Sequence, residues 1–160
     1  MTVAERRSAL GATSAEYEVR PLRDRDRIRA MLQDRRPYAA YALGQLDPVL
    51  FRQTEWWCAE SGDRAALLLH SRGGLGNATF ALGESGAVDA LLQVHPGPRS
   101  TFFTCEVHHV DTVARYFDLD HRQTMIRMEA TAETFRPCDG DVRRLRHRDQ
   151  QRVDGLAQRV

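Results

Sequence analysis

Lysine is missing altogether: all 23 basic residues of this 160-residue chain are arginine. That absence excludes Schiff-base chemistry of the pyridoxal type, which needs a lysine amine. It also excludes a P-loop, whose lysine reaches the nucleotide phosphates. Cysteine is scarce. Cys58, Cys105 and Cys138 are odd in number and share no short spacing, which speaks against a disulfide framework or a zinc ribbon. A reduced, cytoplasmic setting fits that usage, and there the sequon Asn77-Ala78-Thr79 is expected to stay unmodified. Long apolar runs are missing too. No stretch approaches the ~20 residues of a membrane span, and residues 1–14 hold no apolar core of a signal peptide. No membrane partner is therefore expected.

What is present reads as a globular protein. Hydrophobic residues make up 42% and charged residues 28%, ordinary fractions for a packed domain. The length allows one domain with a core of its own. An all-arginine complement suits bidentate phosphate contacts, but codon usage is the simpler origin. Net charge is only +1, so no global basic field calls for a nucleic-acid partner. That figure is a cancellation: residues 15–140 hold 15 Arg against 18 acids, while residues 141–160 hold 6 Arg against 3 Asp.

Residues 1–14 lack periodicity and read as a flexible tail. Residues 17–22 alternate apolar and polar, as a short strand does. Residues 24–36 make a charged helix with acid at its start and base at its end, and with Ile28, Met31 and Leu32 turned inward. Pro37 stops or restarts it. Residues 38–46 make a second helix with Tyr38, Tyr41 and Leu46 as its apolar side, and Asp47-Pro48 punctuates. Residues 54–60, 65–70 and 78–82 are strands of a hairpin meander. The middle one is apolar throughout, as in a strand covered on both faces. Residues 86–94 and 108–117 are helices, residues 101–105 and 123–130 strands. Helices between strands imply parallel crossovers. The expected class is therefore α/β (α+β): a mixed sheet with an antiparallel meander, flanked by about four helices.

The chain also resembles itself. Val19-Arg20-Pro21-Leu22-Arg23-Asp24-Arg25-Asp26 aligns with Val142-Arg143-Arg144-Leu145-Arg146-His147-Arg148-Asp149, identical at six of eight positions and offset by 123. Arg supplies three identities, but Val, Leu and Asp match as well. Both copies have the pattern of a strand turning into a charged helix. A first module over residues 15–135 is expected, then a linker over 136–140, then the opening of a second, truncated module over 141–160. Twenty residues cannot bury a core alone.

This element order is similar to that of the GCN5-related N-acetyltransferase (GNAT) superfamily. The phrase Val19-Arg20-Pro21-Leu22-Arg23-Asp24-Arg25-Asp26 looks like its first strand entering its first helix. Tyr41-Ala42-Leu43-Gly44-Gln45-Leu46-Asp47 and Thr54-Glu55-Trp56-Trp57-Cys58-Ala59-Glu60 resemble the amino-terminal half of tandem members, in which a degenerate module precedes a catalytic one. The resemblance implies acetyl-CoA as the family's donor and an amine, small or peptidic, as acceptor. It further implies Gln/Arg-x-x-Gly-x-Gly/Ala after the fourth strand, where backbone N–H groups and a helix N-terminus hold the pyrophosphate. Here that place reads Leu82, Gly83, Glu84, Ser85, Gly86: the leading Gln/Arg is absent, and Glu84 sets a negative charge against the pyrophosphate. The glycine run at Gly73, Gly74 and Gly76 lies between two strands and reads as a turn.

Other chemistry is thinner. His108 and His109 with Asp111 have metal-capable groups, but adjacent helical residues point about 100° apart, and no metal site is expected. Cys105 and His108 have the types of a thiolate and its base, without an orienting third residue. Glu106 has the type of a general base, with nothing beside it in sequence to pair with. Trp56 and Trp57 alternate on a strand, so one faces the core and the other a surface or groove. The Arg/Asp alternation over residues 23–29 is a solvated helix face. The favoured reading is a non-catalytic amino-terminal module that supports a second one in cis and binds no acetyl-CoA itself; no catalytic residue is assigned. The alternatives are an active single-module acyltransferase with an unusual loop, in which an amine attacks the thioester directly, and an assembly module that holds a partner through its exposed Trp and basic end.

Overall fold

The computed structural model describes residues 16–73, 76–137 and 140. The expected tail, residues 138 and 139 of the linker with Cys138, and the second-module opening with its repeat copy lie outside the described residues. The chain divides into two compact units between Met128 and Glu129.

In the first unit, strand β1 (Glu18–Pro21) leads through helices α1 (Arg25–Gln33), α2 (Arg36–Gly44) and α3 (Pro48–Phe51). Strands β2 (Thr54–Ser61), β3 (Arg64–Gly73) and β4 (Gly76–Gly83) follow. Helix α4 (Ser85–Val94) then crosses to β5 (Phe102–Thr104), and a 3-10 turn, Val107–His109, opens into α5 (Val110–Val113). The strands lie in chain order; every pair is antiparallel except β4 and β5, which run parallel. The result is the expected α/β class, with a mixed sheet and an antiparallel meander.

The apolar run in β3 explains the layering. Successive strand residues face opposite ways. Leu67 and Leu69 pack with Ile28, Leu32, Ala39, Ala42, Trp56 and Phe80 on the α1–α2 face. Ala66 and Leu68 pack with Val88, Leu91, Leu92 and Val113 on the α4 face. Each such buried Leu contributes about 1.5–3 kcal/mol relative to exposure. The sheet is thus clothed on both sides, as the sequence of this strand predicts.

Caps set the helix starts. Asp24 accepts from the N–H groups of Asp26 and Arg27 at 3.0 and 3.1 Å and opens α1. Pro37 sits in the first turn of α2, where its missing N–H costs nothing. Asp47-Pro48 is more than punctuation: the Asp47 carboxylate accepts from Val49 N at 2.9 Å and caps α3. Tyr41, expected on the apolar side of α2, is exposed, and Ala39 and Ala42 are buried instead.

Two expected elements differ. The helix expected over residues 108–117 shrinks to the 3-10 turn and the four residues of α5. The strand expected over residues 123–130 is not formed. Residues 123–130 pair with no strand, and their apolar residues Met125, Ile126 and Met128 are all exposed.

The β4–β5 pairing covers three residues, ending at Phe80 and Thr104. Beyond it, side chains take over the β4 edge. The Tyr38 hydroxyl donates to Ala81 O at 2.8 Å, and His109 Nε2 lies 2.9 Å from Gly83 O. In the second unit, the described residues 129–137 and 140 include one turn, in which Phe135 N donates to Thr131 O at 2.8 Å.

Candidate functional site

The loop from β4 into α4 is built on Gly83. Its φ is +122°, and a Cβ there would stand 2.3 Å from Ala65 O. Glycine is therefore required by the close approach of β3, whatever else the loop does. Glu84 N donates to Ala65 O at 3.1 Å and pins the turn.

Glu84 is the N-cap of α4. Its carboxylate accepts from Ala87 N at 3.0 Å and from the Tyr17 hydroxyl at 2.7 Å. The Gly86 N–H, the Tyr17 hydroxyl, the Ala87 N–H and the nearby Arg64 charge all hold the Glu84 carboxyl below its ordinary range, against a smaller opposing effect of burial. Desolvation, then the bond to Glu84, pushes the Tyr17 phenol up. Arg64 lies 5.0 Å over the Tyr17 ring and pairs with Glu16. The first-turn N–H groups and the positive helix end thus already face an internal anion. A second anion would meet that carboxylate. A Cβ at Gly86 would stand 3.0 Å from both Glu84 Oε2 and the Tyr17 hydroxyl, so the ground in front of the helix is filled.

The other sequence candidates sit beside this loop. The structure brings Glu106, His108 and His109 together. The two imidazoles are 4.0 Å apart by ring centroids, because both turn towards Gly83 O, His109 at 2.9 Å and His108 at 3.5 Å. His109 is fully buried and His108 is exposed. Desolvation is the largest effect on His109 and holds its ring below the ordinary imidazole range. Glu106 finds the partner that the sequence did not show, an ion pair with Arg35 at the start of α2. Asp111 is exposed and is not among these groups. Cys105 packs at the margin of the α4-side core, and burial followed by Glu106 pushes its thiol up, the wrong direction for a nucleophilic thiolate. Cys58 is buried and shifted the same way by burial. Trp56 faces the core, as alternation requires. Trp57 faces the α4 side, and its ring stacks on His95 at 4.5 Å.

At the opposite end of β4, sequence reasoning missed a pocket of about 240 Å³. Glu55, His70, Arg72, Asn77, His95 and Gly97 line it. His95 Nε2 lies 3.2 Å from Glu55, which also pairs with Arg72 at 3.2 Å. His70 is buried, with Nδ1 3.0 Å from Thr79 Oγ1, and Thr79 continues to Thr101 at 2.9 Å. Burial lowers the His70 pKa to about 4. The positive-φ Gly97 lies against the His70 ring: a Cβ there would stand 2.2 Å from Cε1. The Pro96-Gly97-Pro98 break was visible in the sequence, but its contact with a histidine 27 positions earlier was not.

The chain matches no family model, no curated protein and no solved structure. Among the described residues, no helix is long and apolar enough to cross a membrane.

Proposed function

We propose that this chain is the amino-terminal, non-catalytic module of a GNAT-type N-acetyltransferase, in which a further module in cis carries the transfer of acetyl from acetyl-CoA to an amine. The element order supports the reading: strand, helices, antiparallel meander, then a parallel crossover through α4. The observation that carries the non-catalytic part is Glu84. In the resembling family a donor pyrophosphate lies on the N–H groups of this helix start; here the Glu84 carboxylate already accepts from them. The residues present do not fit that group, and no transfer step is assigned to this chain. Ile126 and Met128, exposed at 86% and 92%, favour a role in supporting a neighbouring module, since such side chains gain most from being covered.

Titration calorimetry of the purified chain with acetyl-CoA tests this. No heat of binding is expected for the wild type, and weak binding at millimolar donor is expected to emerge in Glu84→Gly. Micromolar binding by the wild type would overturn the proposal and favour an active single-module acyltransferase.

A further inference from the structure

We propose that Glu106, His108 and His109 form a zinc site on the turn after β5, with the fourth coordination position open. This rests on the turn's own geometry and is independent of the family reading above.

One donor atom from each of the three residues lies within 4.8 Å of the other two. Two imidazoles and a carboxylate are a donor set that zinc takes, with three protein ligands and one open position. Calcium and magnesium prefer all-oxygen shells, so the nitrogen donors point to a transition metal. Donors around a tetrahedral zinc stand roughly 3.4 Å apart. Closing to that distance needs a shift of about an ångström, and His108, exposed and reaching Gly83 O only at 3.5 Å, can make it.

His109 supplies the second, independent observation. Its Nε2 lies 2.9 Å from the Gly83 carbonyl, which can only accept, so Nε2 carries the proton. Nδ1 then carries the lone pair, and it is buried without any hydrogen-bond partner. A buried acceptor left unmatched is destabilising. A metal ion would satisfy it. An imidazole whose other nitrogen donates to a backbone carbonyl is the usual support for a metal-binding histidine, because that bond fixes tautomer and ring orientation. Gly83, held by its close contact with β3, makes that support rigid.

Arg35 now occupies Glu106. Zinc binding moves the carboxylate from the guanidinium to the metal, and Arg35, half exposed, returns to solvent. Arg35 is therefore a competitor of the ion and not a ligand. This distinguishes the proposal from a purely structural role for the ion pair.

The test uses the whole chain, free of any affinity tag and stripped with EDTA, titrated with zinc chloride by calorimetry. Cobalt(II) absorption reports the coordination, and the His109 ring nitrogens are followed by NMR. One zinc per chain at micromolar affinity is expected, with a shift at His109 Nδ1 and little at Nε2. His108→Ala and Glu106→Gln, both changes outside the core, are expected to weaken binding at least ~tenfold. Arg35→Gln is expected to tighten it about two- to fivefold. Failure to bind micromolar zinc would overturn the proposal. Equal binding by His108→Ala and Glu106→Gln would overturn it as well, since the ion would then be held elsewhere, as at His95 or His121.

Discussion

Replacing Gly83 by alanine separates the architecture of the β4–α4 loop from any ligand it could hold. The added Cβ would stand 2.3 Å from Ala65 O and 2.6 Å from Ala66 Cα. Both are backbone atoms of β3, and Ala65 O already accepts from Glu84 N at 3.1 Å. Neither can rotate away as a side chain could. The φ of +122° adds backbone strain. Strain of this kind costs about 1–3 kcal/mol, and forcing an extra carbon into packed surroundings another ~1–3 kcal/mol. Gly83→Ala should therefore lose about 3–5 kcal/mol, a large part of the ~5–15 kcal/mol that a domain has. Two controls use the same chemical change. Gly62 also has positive φ, but open space at its Cβ, so Gly62→Ala should cost only the strain, about 1 kcal/mol. Gly44 ends α2 with ordinary φ and open space, so alanine there should stabilise by up to ~1 kcal/mol. Urea titration measures all three, provided that the slopes agree. Gly83→Ala lying within ~1 kcal/mol of wild type would refute the packing argument, and the glycine would then need a ligand to explain it.

Other consequences follow from charge. His70 should titrate near 4, against 6.5 for an ordinary imidazole. The unfolded chain then takes up a proton that the folded one refuses. Stability falls as pH drops from about 6.5 to about 4, by roughly 2–3 kcal/mol, and this contribution is flat below. A ring titration near 6.5 by NMR would contradict the burial assigned to His70. Glu84 works the other way. Its carboxyl is held low in the fold, so its contribution is full above the ordinary value of 4.5 and is lost as pH falls through the depressed folded one. Glu84→Ala should cost about 1 kcal/mol at neutral pH, with the gap to wild type closing in acid. A gap that stays constant from pH 7 to pH 3 would rule out the cap. The absence of acetyl-CoA binding and the presence of zinc binding complete the set.

Much of the fold was legible because local pattern and tertiary need coincide. The apolar run from Ala65 to His70 announces a strand covered twice, and the acidic start at Asp24 with the stripe of Ile28 and Leu32 announces a helix. The strand expected at residues 123–130 shows where pattern misleads: Met125, Ile126 and Met128 are apolar enough for a strand, but composition does not say whether a partner strand is there to receive them. At the candidate site, the charge of Glu84 was legible and its hydrogen bonds to the helix start and Tyr17 were not, because Tyr17 is 67 positions away. For the histidine pair, the rule that neighbouring helical residues point apart does not register a shared docking partner. On a 3-10 turn that docks against Gly83, the rings meet. Glu106 completes the cluster, and Arg35, 71 positions away, is its hidden partner. Long-range contacts of this kind have no local signature.

The short parallel pairing of β4 with β5 has a last consequence. Past Phe80, the main chain of β4 still offers the carbonyls of Ala81 and Gly83. A phenol from the α1–α2 layer closes one, and an imidazole from the turn after β5 closes the other. The edge is thus clasped from two layers by side chains, not zipped by a strand. Any extended ligand or added strand that sought this edge would have to displace both, giving up two hydrogen bonds of about 0.5–1.5 kcal/mol each. Tyr38 and His109 thereby occupy the part of the β4 edge that β5 leaves unpaired.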